Sequence, residues 1–227
     1  MPDLSFSVES AEPVTYAASP MLSFRLRITN ADPEERIQSI ALRSQIQIET
    51  TQRRYTQGEQ AQLYDLFGEP ERWSRTLRSL LWTYASAMVP SFQGETVIEL
   101  PVPCTFDFNV AATKYFAGLS AGVVPLDLMF SGSVFFESPD YGLQVTQIPW
   151  NKEARFRLPI VAWQDMMEHY YPNTAWLCLR RDVFERLARY KSEQGIPTWE
   201  QALESILPNQ PKTVEEDEMK IEGSLPS

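Results

Sequence analysis

The sequence predicts an α+β fold: an antiparallel β-sandwich of about eight strands, carrying a helical insertion and a C-terminal helical appendage. Three observations lead there. Through most of residues 1–160, apolar and polar residues alternate with period two, as strands with one buried face require. Around residues 52–92, and again after 161, the apolar residues recur at helical spacing instead. Apolar residues make up 43% of the 227, with 12 Phe, 9 Tyr and 6 Trp, enough to fill the space between two sheets.

Taken in order, Leu4, Phe6 and Val8 alternate with Ser5, Ser7 and Glu9, and Leu22, Phe24, Leu26 and Ile28 alternate with Ser23, Arg25, Arg27 and Thr29. After the turn-forming run Asn30-Ala-Asp-Pro-Glu-Glu35, the set Ile40, Leu42, Ile46 and Ile48 continues the pattern with Ser44 as a polar intruder. Trp73, Leu77, Leu80, Leu81, Tyr84 and Met88 then fall on one stripe bracketed by Pro70 and Pro90, which predicts a helix of about 18 residues. Gly58 to Gly68 adds a shorter helix. Strands resume at Thr96–Leu100 and at Phe106, Phe108 and Val110, followed by a short helix over Ala111–Leu119 that packs Tyr115, Phe116 and Leu119. Further strands are expected over 126–136 and 143–148, and at Ala154, Phe156, Leu158 and Ile160. Phe24, Leu26, Leu42, Phe106, Phe108, Phe130 and Phe156 are the expected core; a closed barrel is the alternative to the sandwich.

Beyond Val161, helices are expected at Trp163–Tyr171 and Asp182–Lys191, with a third opened by the capping box Thr198-Trp-Glu-Gln201 and burying Trp199, Ala202, Leu203 and Ile206. Residues 209–227 mix acids, lysines, Pro and Gly with few apolar groups, a composition that cannot offset ordering entropy. The expected organisation is a sandwich domain at 1–160 with its insertion at about 52–92, a helical region at 161–208 packed on it, and a disordered acidic tail at 209–227.

Composition narrows the function classes. A net charge of −10 repels a nucleic-acid backbone. The N-terminus lacks a secretory pattern, no apolar run reaches the roughly 20 residues of a membrane helix, and Cys104 and Cys178 cannot form a disulfide framework. A soluble cytoplasmic protein without membrane insertion is the natural reading. The single histidine, His169, restricts acid–base chemistry. Asp165 and His169 stand at i, i+4, but two ligands do not make a metal site, and the bland reading of a surface histidine near a carboxylate is preferred. Glycine-rich phosphate loops and a Gly-x-Ser-x-Gly elbow are absent. No catalytic, cofactor-binding or metal residue is assigned, and no cofactor is expected.

The candidate partner-binding residues are Trp163, Tyr171 and Trp176, in an aromatic-rich C-terminal region, and Arg25, Arg27 and Arg43 on outward strand faces. The aromatics read as interface anchors or plain core packing, and the arginines as a solvated face or an acidic-partner contact. An interaction protein is preferred over a small-ligand-binding sandwich and over a carboxylate- or metal-dependent enzyme. Its partner is expected to be another protein, and a homo-oligomer stays open.

The strings Leu66-Phe-Gly-Glu-Pro70 with Trp73, Leu100-Pro-Val-Pro-Cys-Thr-Phe-Asp-Phe108, Ile148-Pro-Trp-Asn-Lys-Glu-Ala-Arg-Phe-Arg-Leu158 and Pro197-Thr-Trp199 together resemble an uncharacterised bacterial family, a domain of unknown function. The resemblance covers about residues 2–207. It implies no activity, cofactor or catalytic residue; it implies a gene neighbourhood of nickel–iron hydrogenases, and hence a hydrogenase subunit or maturation factor as partner.

Overall fold

In the computed structural model, which describes residues 1–105, 110–138, 141–174, 177 and 179–207, two antiparallel sheets enclose the core. The chain divides into two units, Met1–Thr174 and Ala175–Ser227. In the first, β1 (Leu4–Pro13), β2 (Met21–Asn30) and β6 (Glu95–Pro103) form a three-stranded sheet in the order β1-β2-β6. β4 (Leu80–Val89), β3 (Arg36–Ile48), β7 (Val123–Ser138) and β8 (Gly142–Gln147) form the second in the order β4-β3-β7-β8, with β5 (Phe92–Gln93) on β3 and β9 (Glu153–Pro159) on the first half of β7.

Alternation in the sequence becomes burial here. Leu22, Phe24, Leu26 and Ile28 of β2 are fully buried and share one core cluster with Ile40, Leu42, Ile46 and Ile48 of β3. Rings bind the layers together: Phe6 of β1 stacks on Phe130 of β7 at 4.3 Å, and Phe24 of β2 meets Phe156 of β9 at 5.6 Å. Such aromatic pairs contribute about 0.5–1.5 kcal/mol beyond area burial. Phe24, Leu26, Leu42 and Phe130 are thus core as expected, and Phe156 is half-buried against it. Phe106 and Phe108 lie outside the described residues, as does the tail from 208 onward.

The predicted helix through Trp73–Met88 is corrected. Only α1 (Gln57–Gln62), α2 (Tyr64–Phe67) and α3 (Trp73–Thr76), with 3-10 turns at Thr50–Gln52 and Pro70–Arg72, are helical; Leu80–Val89 is strand. A β-bulge explains the misleading period. The register of β4 on β3 shifts between Ile46 and Gln47, so Trp82 is an extra residue opposite no partner. Outward positions therefore run Leu81, Tyr84, Ser86, Met88, and the single three-residue step imitates a helical stripe.

Helices cover the rest of the first unit. α4 (Val110–Ala117) buries Tyr115 and Phe116 as expected, with Leu119 just beyond it also buried. α5 (Ile160–Tyr170) packs on β1, β2 and β9 and belongs to the first unit. The second unit contains α6 (Arg181–Glu193) and α7 (Trp199–Ile206), and the Thr198 hydroxyl accepts from the Gln201 N–H at 3.2 Å, the cap anticipated from the sequence.

Candidate interaction surfaces

The sequence-derived candidates do not gather into one site. Trp163 faces inward from α5 and stacks on Phe116 at 5.2 Å with 6% of its surface exposed, so it is core and not a partner anchor. Its helical position opposite the exposed Asp165 and His169 dictates this, because α5 has a single buried stripe of Ile160, Trp163 and Met166. Tyr171 is half-buried just past the end of α5. Trp176 and Cys178 lie outside the described residues.

Arg25 and Arg27 share the outer face of β2, and acids from both neighbouring strands answer them. Glu9 accepts from Arg25 Nε at 2.9 Å and from Arg27 Nε at 2.6 Å, while Arg27 Nη1 reaches Glu95 at 2.7 Å and Arg25 Nη1 lies 3.9 Å from Glu99. Those bonds hold the Glu9 carboxyl below the usual carboxylate range. Three carboxylates thus balance two guanidinium groups, and the face is not a cationic dock. Arg43 stands on the other sheet, its guanidinium 5.1 Å from the Tyr84 ring centroid.

Chemical groups inside the first unit are used for structure. Glu59, buried in α1, takes hydrogen bonds from Arg53 Nη2 at 2.6 Å, from the Thr56 N–H at 2.9 Å and from the Ser120 N–H at 3.1 Å. Burial alone would raise its pKa, but the backbone donors and the Arg53 guanidinium outweigh that, and the carboxyl lies below its ordinary value. Arg53 also donates to the carbonyls of Ala121 and Val123, both at 2.6 Å, pinning the turn after α4 to the insertion. Beside it the Tyr55 and Tyr115 hydroxyls meet at 2.9 Å, and burial raises both phenols. Each carboxylate oxygen of Glu59 accepts at least one of these bonds, and the side chain is buried. Thr56-Gln-Gly-Glu59 is a capping-box string, a signal the sequence carries at this position.

Burial pushes the Cys104 thiol up to about 12, so it stays protonated at neutral pH. His169 is exposed on α5, and its Nε2–H donates to the Thr15 carbonyl at 3.0 Å, tying the helix to the β1–β2 loop. Among the described residues no group of three His, Cys, Asp or Glu converges as a metal ion requires, and no helix is long and apolar enough to cross a membrane. A cavity of about 690 Å³ is lined by the charged Asp32, Glu34, Glu35, Arg36 and Glu137 together with the apolar Met1, Phe136 and Leu143.

One cluster of exposed apolar groups lies in the second unit. α6 has an apolar stripe of Val183, Phe184, Leu187 and Ala188, yet buries no residue fully. It meets α7 through Phe184 and Trp199, 5.3 Å apart, through Lys191 Nζ at 5.5 Å over the Trp199 ring, and through Tyr190 and Ser205 hydroxyls at 3.1 Å. Of the expected α7 core, only Ala202 is buried; Trp199, Leu203 and Ile206 are exposed. Leu177, Leu179, Phe184, Leu187, Trp199 and Leu203 line an apolar cleft of about 280 Å³.

Comparison with curated proteins gives no match. Among solved structures, the solution structure of a putative late embryogenesis abundant (LEA) protein is similar at 16% identity and a TM-score of 0.34, over 70% of this chain and 73% of that one, too distant to bear on fold or function. The family of unknown function DUF6084 matches residues 1–215, and the chain belongs to that family.

Proposed function

We propose that the protein is a non-catalytic accessory protein that binds another protein through the apolar cleft of its C-terminal helix pair. The observation behind this reading is an amphipathic two-helix unit whose apolar stripe closes on itself at only one fully buried residue, Ala202. Two short helices gain most of their stability from an apolar face that is covered. A cleft of about 280 Å³ lined only by apolar side chains, with no convergent polar group, suits side-chain anchors from a partner segment. Trp199 is of a residue type that often dominates binding energy at interfaces, and Phe184 of a type enriched in their cores.

The resemblance noted for the sequence supplies the finer proposal, that the partner is a hydrogenase subunit or maturation factor in a bacterial cytoplasm. The test is affinity capture from the native organism with the full chain, followed by reconstitution with the purified stoichiometric partner. Binding lost on Phe184→Asp with secondary structure retained supports the cleft. Undiminished binding by that variant removes it. Capture of a protein with no relation to hydrogenases removes the finer proposal and leaves the cleft standing.

A further inference from the structure

Charge on the outer face of the three-stranded sheet is uneven. Glu9 and Glu95 already answer Arg25 and Arg27, and two further carboxylates, Glu12 and Glu99, stand on the same face. Register places them: Ser10 of β1, Arg25 of β2 and Glu99 of β6 form one cross-strand row, and Glu12 stands opposite Ser23 in the next. Glu99 accepts from the Ser23 hydroxyl and lies 3.9 Å from Arg25 Nη1. Glu12 is exposed, and among the described residues it has no hydrogen bond or ion pair.

The β1–β2 loop rises at the end of these rows, and α5 holds it in place. The Tyr170 hydroxyl shares its proton between the Val14 and Ala17 carbonyls, at 2.8 and 2.9 Å, and His169 holds the Thr15 carbonyl at 3.0 Å. Tyr16, set between these tethered residues, is 98% exposed. With Ser10, Glu12, Ser23, Arg25 and Glu99 it lines a cleft of about 450 Å³. A solvated ring on a tethered loop is a preorganised contact, with little ordering entropy left to lose on binding.

We propose that this cleft takes an arginine side chain from a partner protein, its guanidinium paired with Glu12 and Glu99 and its flat face on the Tyr16 ring. Charge complementarity selects that occupant. The carboxylates of Glu9, Glu12, Glu95 and Glu99 outnumber the guanidinium groups of Arg25 and Arg27, in a chain of net charge −10, so an anion is repelled and a cation drawn in. A guanidinium suits the place better than an ammonium, because its planar fork serves carboxylates and its face stacks on an aromatic ring. Pro13 and Val14, on the loop side of the cleft, suit the methylene stem. The surface lies in the first unit and shares no residue with the helix-pair cleft.

The test is titration of the isotope-labelled full chain with the peptide acetyl-Gly-Arg-Gly-amide, read from amide chemical shifts, with the matching citrulline and lysine peptides alongside. Peptide is taken to about 20 mM, where a millimolar dissociation constant saturates. The expected result is saturable shifts centred on Ser10, Tyr16 and Ser23, weakened about tenfold or more by citrulline, which keeps the shape and loses the charge, and less so by lysine. Glu12→Gln and Tyr16→Ala, both at exposed positions, should each weaken binding about 2–5-fold with the remaining spectrum unchanged. Absence of saturable shifts, equal binding of the citrulline or lysine peptide, undiminished binding by either variant, or shifts confined to other residues would each overturn the proposal. Phe184→Asp should leave these shifts unaltered, so this proposal and the helix-pair reading fail separately.

Discussion

At the scale of single residues, polarity inside the fold is spent on holding segments in place. Arg53 and Glu59 are the clearest pair: removing the guanidinium leaves a buried carboxylate with only backbone and hydroxyl donors, so Arg53→Met should cost about 3–5 kcal/mol in chemical denaturation. The folded Glu59 carboxyl lies below its ordinary 4.5, so its contribution is fully present above that value and is lost as pH falls through the folded value. The thermal midpoint should fall on acidification below about pH 4.5, and Glu59→Gln should flatten part of that decline. Gly132 is constrained differently. Its φ of 137° is open to glycine, and a Cβ there would run into the Ala41 carbonyl oxygen of β3. Gly132→Ala should lower stability by about 2 kcal/mol or more, read as a shifted denaturation midpoint without loss of activity-independent partner capture. The sequence marks Gly132 only as a glycine inside a strand pattern; that it sits opposite Leu42 depends on a register no local signal encodes.

At the scale of elements, legibility followed periodicity. β1, β2, β3, β6, β7 and β9, and helices α4 to α7, were readable because each repeats cleanly at period two or at helical spacing and ends on turn or cap chemistry. β4 was not, because one bulge residue, Trp82, shifts its phase and the surviving apolar spacing mimics a helix. α1 was readable only in outline, although Thr56 and Glu59 form a full capping box. Thr56→Ala should cost about 1 kcal/mol, seen as an earlier urea midpoint, with more than that indicating loss of Glu59 alignment as well. Edge status was illegible for β8, since a lone strand and a paired strand of the same composition look alike until the sheet order is known.

At the scale of the whole molecule, the first unit encloses its own core, and the helix pair of the second unit has an apolar stripe that buries only Ala202 fully. The sequence pointed to the C-terminal aromatics as a contact region, and the structure sorts them: Trp163 is core, whereas Phe184 and Trp199 line an open cleft. Side-chain direction decided this, and direction follows from which face of a short helix finds a neighbour. The most direct test of the interaction reading is the dissociation constant of the reconstituted partner complex, measured for the parent chain, for Phe184→Asp and for His169→Ala, with circular dichroism confirming the fold of each. The account predicts at least about 30-fold weaker binding for Phe184→Asp, as loss of an interface anchor brings, and binding within a few-fold of the parent for His169→Ala. Full affinity with Phe184→Asp, together with loss of function at His169→Ala in a folded protein, would contradict it.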